Sequence, residues 1–366
     1  MPVREKPRST TFANLDERAL GVIAERYRLR DVDCFLPILL DGNRCTLLEV
    51  RSETSKKVVV ECAEERYFFK QIPWYCDTPE QVEVSTALQA RLRLAGLPVP
   101  RLLPTDSGEL WTVIGEETYV LFDFSHGLRY GAHPGQLTAA AATLGRLHRA
   151  AVHVPGAPGE SVFRLAHDHL DLLGHVAGGE GRDLGSAPAT LRALAEEAER
   201  RAGALGFGEL PAVAVHGDYN PWNLLFDEDD AVTAVLDFDN SDVASRLHDL
   251  AEALLTFCVL AYREDSTNFA RLQPPLPDGG RVTAFLTAYT AVAPLTARER
   301  DCLPWAVRAV LVELLALGLI RADLDPDGLP DLDAWLTHLD ACLDGVPEPP
   351  PDGAATTAGN GRGEGR

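Results

Sequence analysis

The 366-residue chain contains no C-x-x-C pair. Its seven cysteines are scattered and odd in number. That excludes a disulfide framework or a zinc site and points to reduced thiols, hence a cytoplasmic setting. No run of about 18 consecutive apolar residues occurs, so no membrane span is expected. The opening stretch MPVREKPRSTTF has no apolar core, so no signal peptide is expected. Basic charge is scarce: 34 Lys and Arg stand against 55 Asp and Glu, a net charge of −21. A nucleic-acid partner needs a basic face and is not expected. Internal repeats are absent, and nothing in the sequence sets an oligomeric state.

What is present is ordinary globular material, 46% apolar and 24% charged. The length suggests two lobes or domains. Residues 1–12 read as a flexible polar arm. Leu15 to Tyr27 reads as a helix. Asp33 to Leu40, Cys45 to Val50, Val58 to Cys62 and Arg66 to Ile72 read as strands of an antiparallel sheet. Lys70 lies near the end of the last, inside YFFKQI. By itself that lysine reads either as an edge-strand lysine with its head in water or as a phosphate clamp. Thr78-Pro79-Glu80-Gln81 is a capping box with proline at the first helical position. It opens a helix to about Ala95, closed by Gly96. Val84, Leu88, Leu92 and Ala95 form its expected apolar stripe, and Glu83 lies within reach of Lys70. Leu110 to Ile114 and Thr118 to Phe124 read as a hairpin, and Val120 to Ser125 as an edge able to meet a purine.

Helices are expected at Leu137 to Val152 and Leu191 to Leu205, with loops at Pro155 to Glu160 and Ala177 to Pro188. His148 reads as a hydrogen-bonded core histidine. Helices also dominate after Leu247: Leu247 to Tyr262, Arg281 to Ala291, Ala297 to Ala322 and Leu332 to Leu343. From Val346 the chain is rich in proline and glycine and reads as a disordered tail.

The most informative stretch is HGDYNPWNLLFDEDDAVTAVLDFDNSDVASRLHD, His216 to Asp249. An apolar strand, Ala212 to Val215, delivers His216-Gly217-Asp218. Asn223 follows five residues after Asp218. A strand pair, Asn223 to Phe226 and Ala231 to Leu236, ends on Asp237-Phe238-Asp239. Short strands ending in acids aim carboxylates into a cleft. One acid to orient a hydroxyl, with Asn and Asp for magnesium, suits phosphoryl transfer from ATP.

HGDYNPWN, then DFD, then SRLHDLA resembles the aminoglycoside phosphotransferase and homoserine-kinase-like superfamily, which includes choline kinases and spore-coat-kinase-like proteins. The resemblance spans roughly Cys45 to Cys342. It implies an α+β, bilobal, protein-kinase-like fold. The small lobe would be an antiparallel sheet with one main helix (residues 13–124, nucleotide-binding). The larger lobe would be mostly helical (residues 125–345, catalytic and substrate-binding). By position, Asp218 matches the catalytic acid, Asn223 and Asp237 the Mg2+ ligands, and Lys70 the lysine on the ATP phosphates. His216 and Asp249 match the supports of the catalytic loop. The phosphate-covering loop corresponds to Arg51 to Lys57, which lacks glycine; Ser52, Ser55 and backbone amides would serve instead. The helix carboxylate that partners the lysine falls at Ser85, so Glu83 or Glu80 would have to take that part. Asp239 reads as a polar loop residue or a second metal contact. The acceptor implied is the hydroxyl of an amino alcohol, sugar or aminoglycoside-like molecule. A peptide Ser or Thr in natural-product biosynthesis is the alternative, and a kinase-like binding scaffold with little catalysis is a third reading.

Overall fold

The computed structural model describes residues 25–27, 32–37, 57–62, 65–73, 75–152, 154, 156, 159, 161–259, 277–321 and 332–344. The expected strand Cys45 to Val50, the loop Arg51 to Lys56 and most of the expected helix Leu15 to Tyr27 lie outside those residues.

Among the described residues the small lobe is an antiparallel five-stranded sheet with order β1-β2-β3-β5-β4. Its strands are β1 (Val32–Pro37), β2 (Lys57–Cys62), β3 (Glu65–Gln71), β4 (Thr112–Ile114) and β5 (Glu117–Asp123). β3 is central, with Lys70 opposite Lys57 on β2 and Val120 on β5. A central strand is buried on its inner face, and here Phe69 stacks on Tyr119 with ring centroids 5.0 Å apart. Lys70 is therefore not an edge lysine with its head in water.

Helix α1 (Pro79–Leu94) connects β3 to β4. Thr78 caps it by accepting from the Gln81 N–H at 3.3 Å, with Pro79 in the first turn. Its buried face runs through Val82, Ser85, Thr86, Leu88, Gln89 and Leu92. Val84 is half-buried and Ala95 exposed, so the expected stripe is rotated by part of a turn. Leu88 and Leu92 join the large core of the helical lobe, whereas Val82 packs with Ile72, Cys76, Leu102 and Val120 under the sheet. One helix thus belongs to both lobes.

The helical lobe begins with α2 (Pro134–Ala151), α3 (Val162–Glu180) and α4 (Ala187–Ala204). The loop expected at Ala177 to Pro188 is shorter than read, because α3 continues to Gly181 in a left-handed cap. Strands β6 (Ala212–Val215), β7 (Leu224–Phe226), β8 (Val232–Val235) and β9 (Asp242–Ser245) follow. β7 pairs with β8, and β6 with β9, both antiparallel. β9 was not expected from the sequence. Its pairing with β6 folds the segment after Asp239 back over the His216 loop. Helix α5 (Leu247–Ala253) continues in a π-helical turn to Val259. Then come α6 (Gly279–Val292), α7 (Ala297–Ile320) and α8 (Leu332–Asp344).

α7 packs against α3, α4 and α5. It holds an 18-residue window of mean hydropathy 1.9, long and apolar enough to cross a membrane, but 72% of that window is buried inside the protein. The helix is apolar all round because it is the axis of the lobe. Arg308 and Glu313 interrupt its apolar run.

The two lobes meet through backbone as well as side chains. Val235 N donates to Pro98 O at 2.7 Å, and Leu128 and Phe226 exchange N–H···O bonds of 2.7 and 2.9 Å. The β7–β8 hairpin is thereby stitched to the chain leaving α1 and the chain leaving β5.

Candidate active site

His216 follows directly on β6 and opens a turn held by several hydrogen bonds. The His216 ring is buried. Its Nε2 donates to Leu236 O at 2.8 Å, and its Nδ1 accepts from the Asp218 N–H at 3.2 Å. That pattern is the neutral imidazole, and burial also lowers the pKa. Gly217 has φ +77, and a Cβ there would stand 2.0 Å from Asn240 O. Only glycine fits, because the segment entering β9 crosses directly above. Asp249, on the first turn of α5, accepts from His216 N and Gly217 N, each at 2.8 Å. It also meets His148 Nε2 at 3.0 Å. Burial opposes the charge, but the neighbouring histidines, His148 first, hold the Asp249 carboxyl down at about 2. His148 in turn contacts Tyr289 OH at 2.7 Å. His216 and Asp249 therefore clamp the turn from both sides, and His148 is a hydrogen-bonded core residue.

This turn presents Asp218. Its Oδ1 accepts from Asn220 Nδ2 at 2.5 Å and its Oδ2 from Asn223 Nδ2 at 2.8 Å. Asn223 Nδ2 also donates to Asp218 O at 2.9 Å. With its N–H groups so engaged, Asn223 has its amide oxygen left as a ligand. Burial, then the charge of Asp237, push the Asp218 carboxyl up to about 7.

Asp237 follows β8 with φ 62. This left-handed backbone turns its side chain out of the strand path. Phe238 is buried with its ring centroid 4.5 Å from that of His216. The turn is thus pinned between two acids. Lys70 Nζ reaches across from β3 to Asp237 Oδ1 at 2.5 Å and Asp239 Oδ2 at 2.6 Å. Burial disfavours the ammonium, yet the two carboxylates outweigh it and raise the pKa of Lys70. So the structure brings Lys70, Asp218, Asn223 and Asp237 to one place.

It does not bring Glu83 there. Glu83 and Glu80 are exposed, and neither forms an ion pair with Lys70. The rotation of α1 explains this: the buried face runs through Ser85, whose Oγ accepts from Gln89 Nε2 at 3.3 Å. Asp239 is likewise not a solvated loop residue but a partner of Lys70. Ser52 and Ser55 lie outside the described residues. The edge expected to meet a purine is already paired as far as Asp123: Leu121 O accepts from Leu103 N, and Asp123 N donates to Arg101 O. Phe124 N donates to Arg66 O.

Two acids that sequence reasoning did not select stand beside Asp218. Glu252, one turn beyond Asp249 on α5, is buried, with Asn220 Nδ2 3.4 Å from its Oε1. Burial and the neighbouring Asp218 raise its pKa well above the usual range. Glu313 comes from α7. Its Oε2 is buried without a hydrogen-bond partner, and its Oε1 lies 3.6 Å from His169 Nδ1. Burial, then the charge of Asp218, push Glu313 up to about 7. Glu252 was legible as the acid in the D-L-A-E run; Glu313 carried only the weaker signal of an acid in an apolar helix.

The donor set fits a hard divalent cation. The Asn223 amide oxygen and the Asp237 carboxylate are oxygen ligands of the kind Mg2+ takes, with phosphates and water completing its shell. Among the described residues there is no group of three or more His, Cys, Asp or Glu able to hold a metal alone.

A constrained acid, an adjacent Asn, a lysine salt-bridged to a second acid and a two-lobed scaffold together define a phosphotransferase-type site. Residues 46–295 match the profile of the Phosphotransferase enzyme family, and the chain belongs to that family. A homoserine kinase of Polaromonas naphthalenivorans is 33% identical over 104 residues, covering 28% of this chain and 29% of that protein. Among solved structures, a microcompartment-associated aminopropanol kinase superposes with TM-score 0.58 at 16% identity, over 88% of this chain and 95% of that one. An amicoumacin kinase in complex with AMP-PNP and Ca2+ gives 0.61 at 14% identity, over 91% and 96%. An aminoglycoside phosphotransferase of Alicyclobacillus acidocaldarius gives 0.55 at 19% identity, over 93% and 95%. The fold is kinase-like.

Proposed function

We propose that this chain transfers the γ-phosphoryl group of ATP, with Mg2+, to a hydroxyl of a small molecule that carries a positive charge. The observation that carries the reading is the placement of Asp218. It is fixed by Asn220 and Asn223 within the electrostatic reach of Asp237, the partner of Lys70.

In this reading residues 13–124 form the nucleotide half and residues 125–345 the acceptor half. Asp218 aims the acceptor hydroxyl and takes its proton. A carboxyl near 7 suits a base working at neutral pH. Asn223 and Asp237 would hold Mg2+, which when bound neutralises charge on the phosphate oxygens. Lys70 meets the inner phosphates. His216 and Asp249 keep the Asp218 turn from relaxing, so orientation is set before substrate arrives. The charge preference comes from Glu252 and Glu313. Three acids converge, and Glu313 Oε2 has no donor in the protein. An ammonium group on the acceptor would supply one, and would hold the hydroxyl against Asp218.

The test is phosphate transfer from labelled ATP to a panel of amino alcohols, neutral polyols and Ser/Thr peptides. Amino alcohols are expected to be the acceptors. Asp218→Asn is expected to lower transfer by about 10²- to 10⁴-fold while leaving ATP affinity unchanged. Preference for neutral polyols or peptides would refute the charged acceptor. Full activity in Asp218→Asn would refute the role of Asp218.

A further inference from the structure

Lys70 is a buried ammonium, and its counter-ions decide where it points. Among the described residues both come from the far lobe, Asp237 at 2.5 Å and Asp239 at 2.6 Å. Helix α1, whose Val82 packs with Ile72 and Val120 beneath the sheet, contributes neither. Its acids at 80 and 83 face outward, and its buried face at this level carries Ser85.

The two aspartates are not equivalent under the phosphotransfer reading, on which this inference rests. A cation held by Asn223 and Asp237 takes up the Asp237 carboxylate. Were Asp237 the only partner, Lys70 would then be a desolvated charge with a weakened counter-ion, an unfavourable arrangement in a buried site. Asp239 prevents this. Its side chain is 10% exposed, so its attraction to Lys70 is little screened. Its position is held from two directions. Phe238 packs on His216, and the next residue, Asn240, accepts from Cys76 Sγ at 3.3 Å. Cys76 lies in the loop between β3 and α1, so the same contact ties the turn to the strand that carries Lys70.

We propose that Asp239 is the positioning residue for Lys70, standing in for the carboxylate that α1 lacks, and that it holds the lysine on the nucleotide phosphates while Asp237 serves the cation. Lys70 and its partner then sit on opposite lobes. Opening of the cleft, not movement of α1, breaks the pair.

A double-mutant cycle on binding of a non-hydrolysable ATP analogue with Mg2+, read by titration calorimetry, tests this. Asp239→Asn is expected to weaken binding about tenfold. In a Lys70→Met background the same substitution is expected to cause no further loss. Asp239→Glu, which retains the charge, is expected to stay within about threefold of the parent, which separates the charge effect from misfolding. The free Mg2+ giving half-maximal binding is expected to be unchanged in Asp239→Asn. Additive losses, or a rise in the Mg2+ requirement, would overturn the assignment and make Asp239 a metal ligand instead. A parent chain that binds no analogue would overturn the phosphotransfer reading and this inference with it.

Discussion

Glu313→Gln isolates the electrostatic feature on which the proposed acceptor preference rests. Glu313 is 17% exposed at the side chain and Oε2 has no donor. Glu313 feels the charge of Asp218 and Glu252 feels that of Glu313, and burial lowers the pKa of its close neighbour His169. Among the described residues no Lys or Arg pairs with Glu313, and His169 Nδ1 lies 3.6 Å from its Oε1. In the unfolded chain the carboxyl ionises near 4.5, and in the folded chain near about 7. A raised carboxyl pKa means that the unfolded state releases its proton first. Stability is therefore intact below pH 4.5, falls as pH rises toward 7 and levels off by about pH 8. A shift of roughly 2.5 units corresponds to about 3 kcal/mol. At about 2.1 cal/mol/K per residue over 366 residues, that is about 4 °C of melting temperature.

Glu313→Gln has no ionisation to lose. Its melting temperature, measured by calorimetry without nucleotide, is expected to gain on the parent by about 4 °C between pH 4.5 and 8. Any constant offset from packing cancels in that comparison. Addition of an amino alcohol at pH 8 is expected to raise the melting temperature of the parent and not of the variant. A melting difference that stays constant across this pH range would refute a buried, uncompensated carboxyl at position 313.

Two further outcomes follow from the site. The pH profile of kcat/KM is expected to rise with an apparent pKa near about 7, the value for Asp218, and to flatten above it, because only the carboxylate accepts the hydroxyl proton; a flat profile from pH 6 to 8 would remove Asp218 as the base. Asp249→Asn replaces an acceptor of two backbone N–H groups and a histidine with an amide that carries donors, and is expected to cost about 2 to 4 kcal/mol in denaturant unfolding and to lower kcat. Stability within 0.5 kcal/mol of the parent would show that the turn is held by other means.

Much of the architecture was legible because it is written in local patterns. Capping at Thr78, the hairpin around Gly115 and the helices after Leu247 all declare themselves over a few residues. The His216 to Asp249 stretch is similar: its short strands and turns place Asp218, Asn223 and Asp237 through backbone geometry that neighbouring residues impose. β9 was missed because DVAS is too short to show a period and exists as a strand only by pairing with β6. The helix spacing fell on Ser85, which is indeed buried, and Glu83 and Glu80 cannot take its part because they lie on the exposed face of α1.

The sequence by itself determined the chemistry on offer: a histidine-braced acid, an Asn and an Asp at fixed intervals, and a lysine in an aromatic strand. Only the tertiary structure decided how those groups are paired. Lys70 and Asp237 are 167 residues apart, and Asp218 meets Glu252 and Glu313 through helices that arrive from elsewhere in the chain. Local order arises from backbone hydrogen bonds and caps within a turn or two. Which charges answer one another is settled by burial, and burial exists only once the lobes have packed.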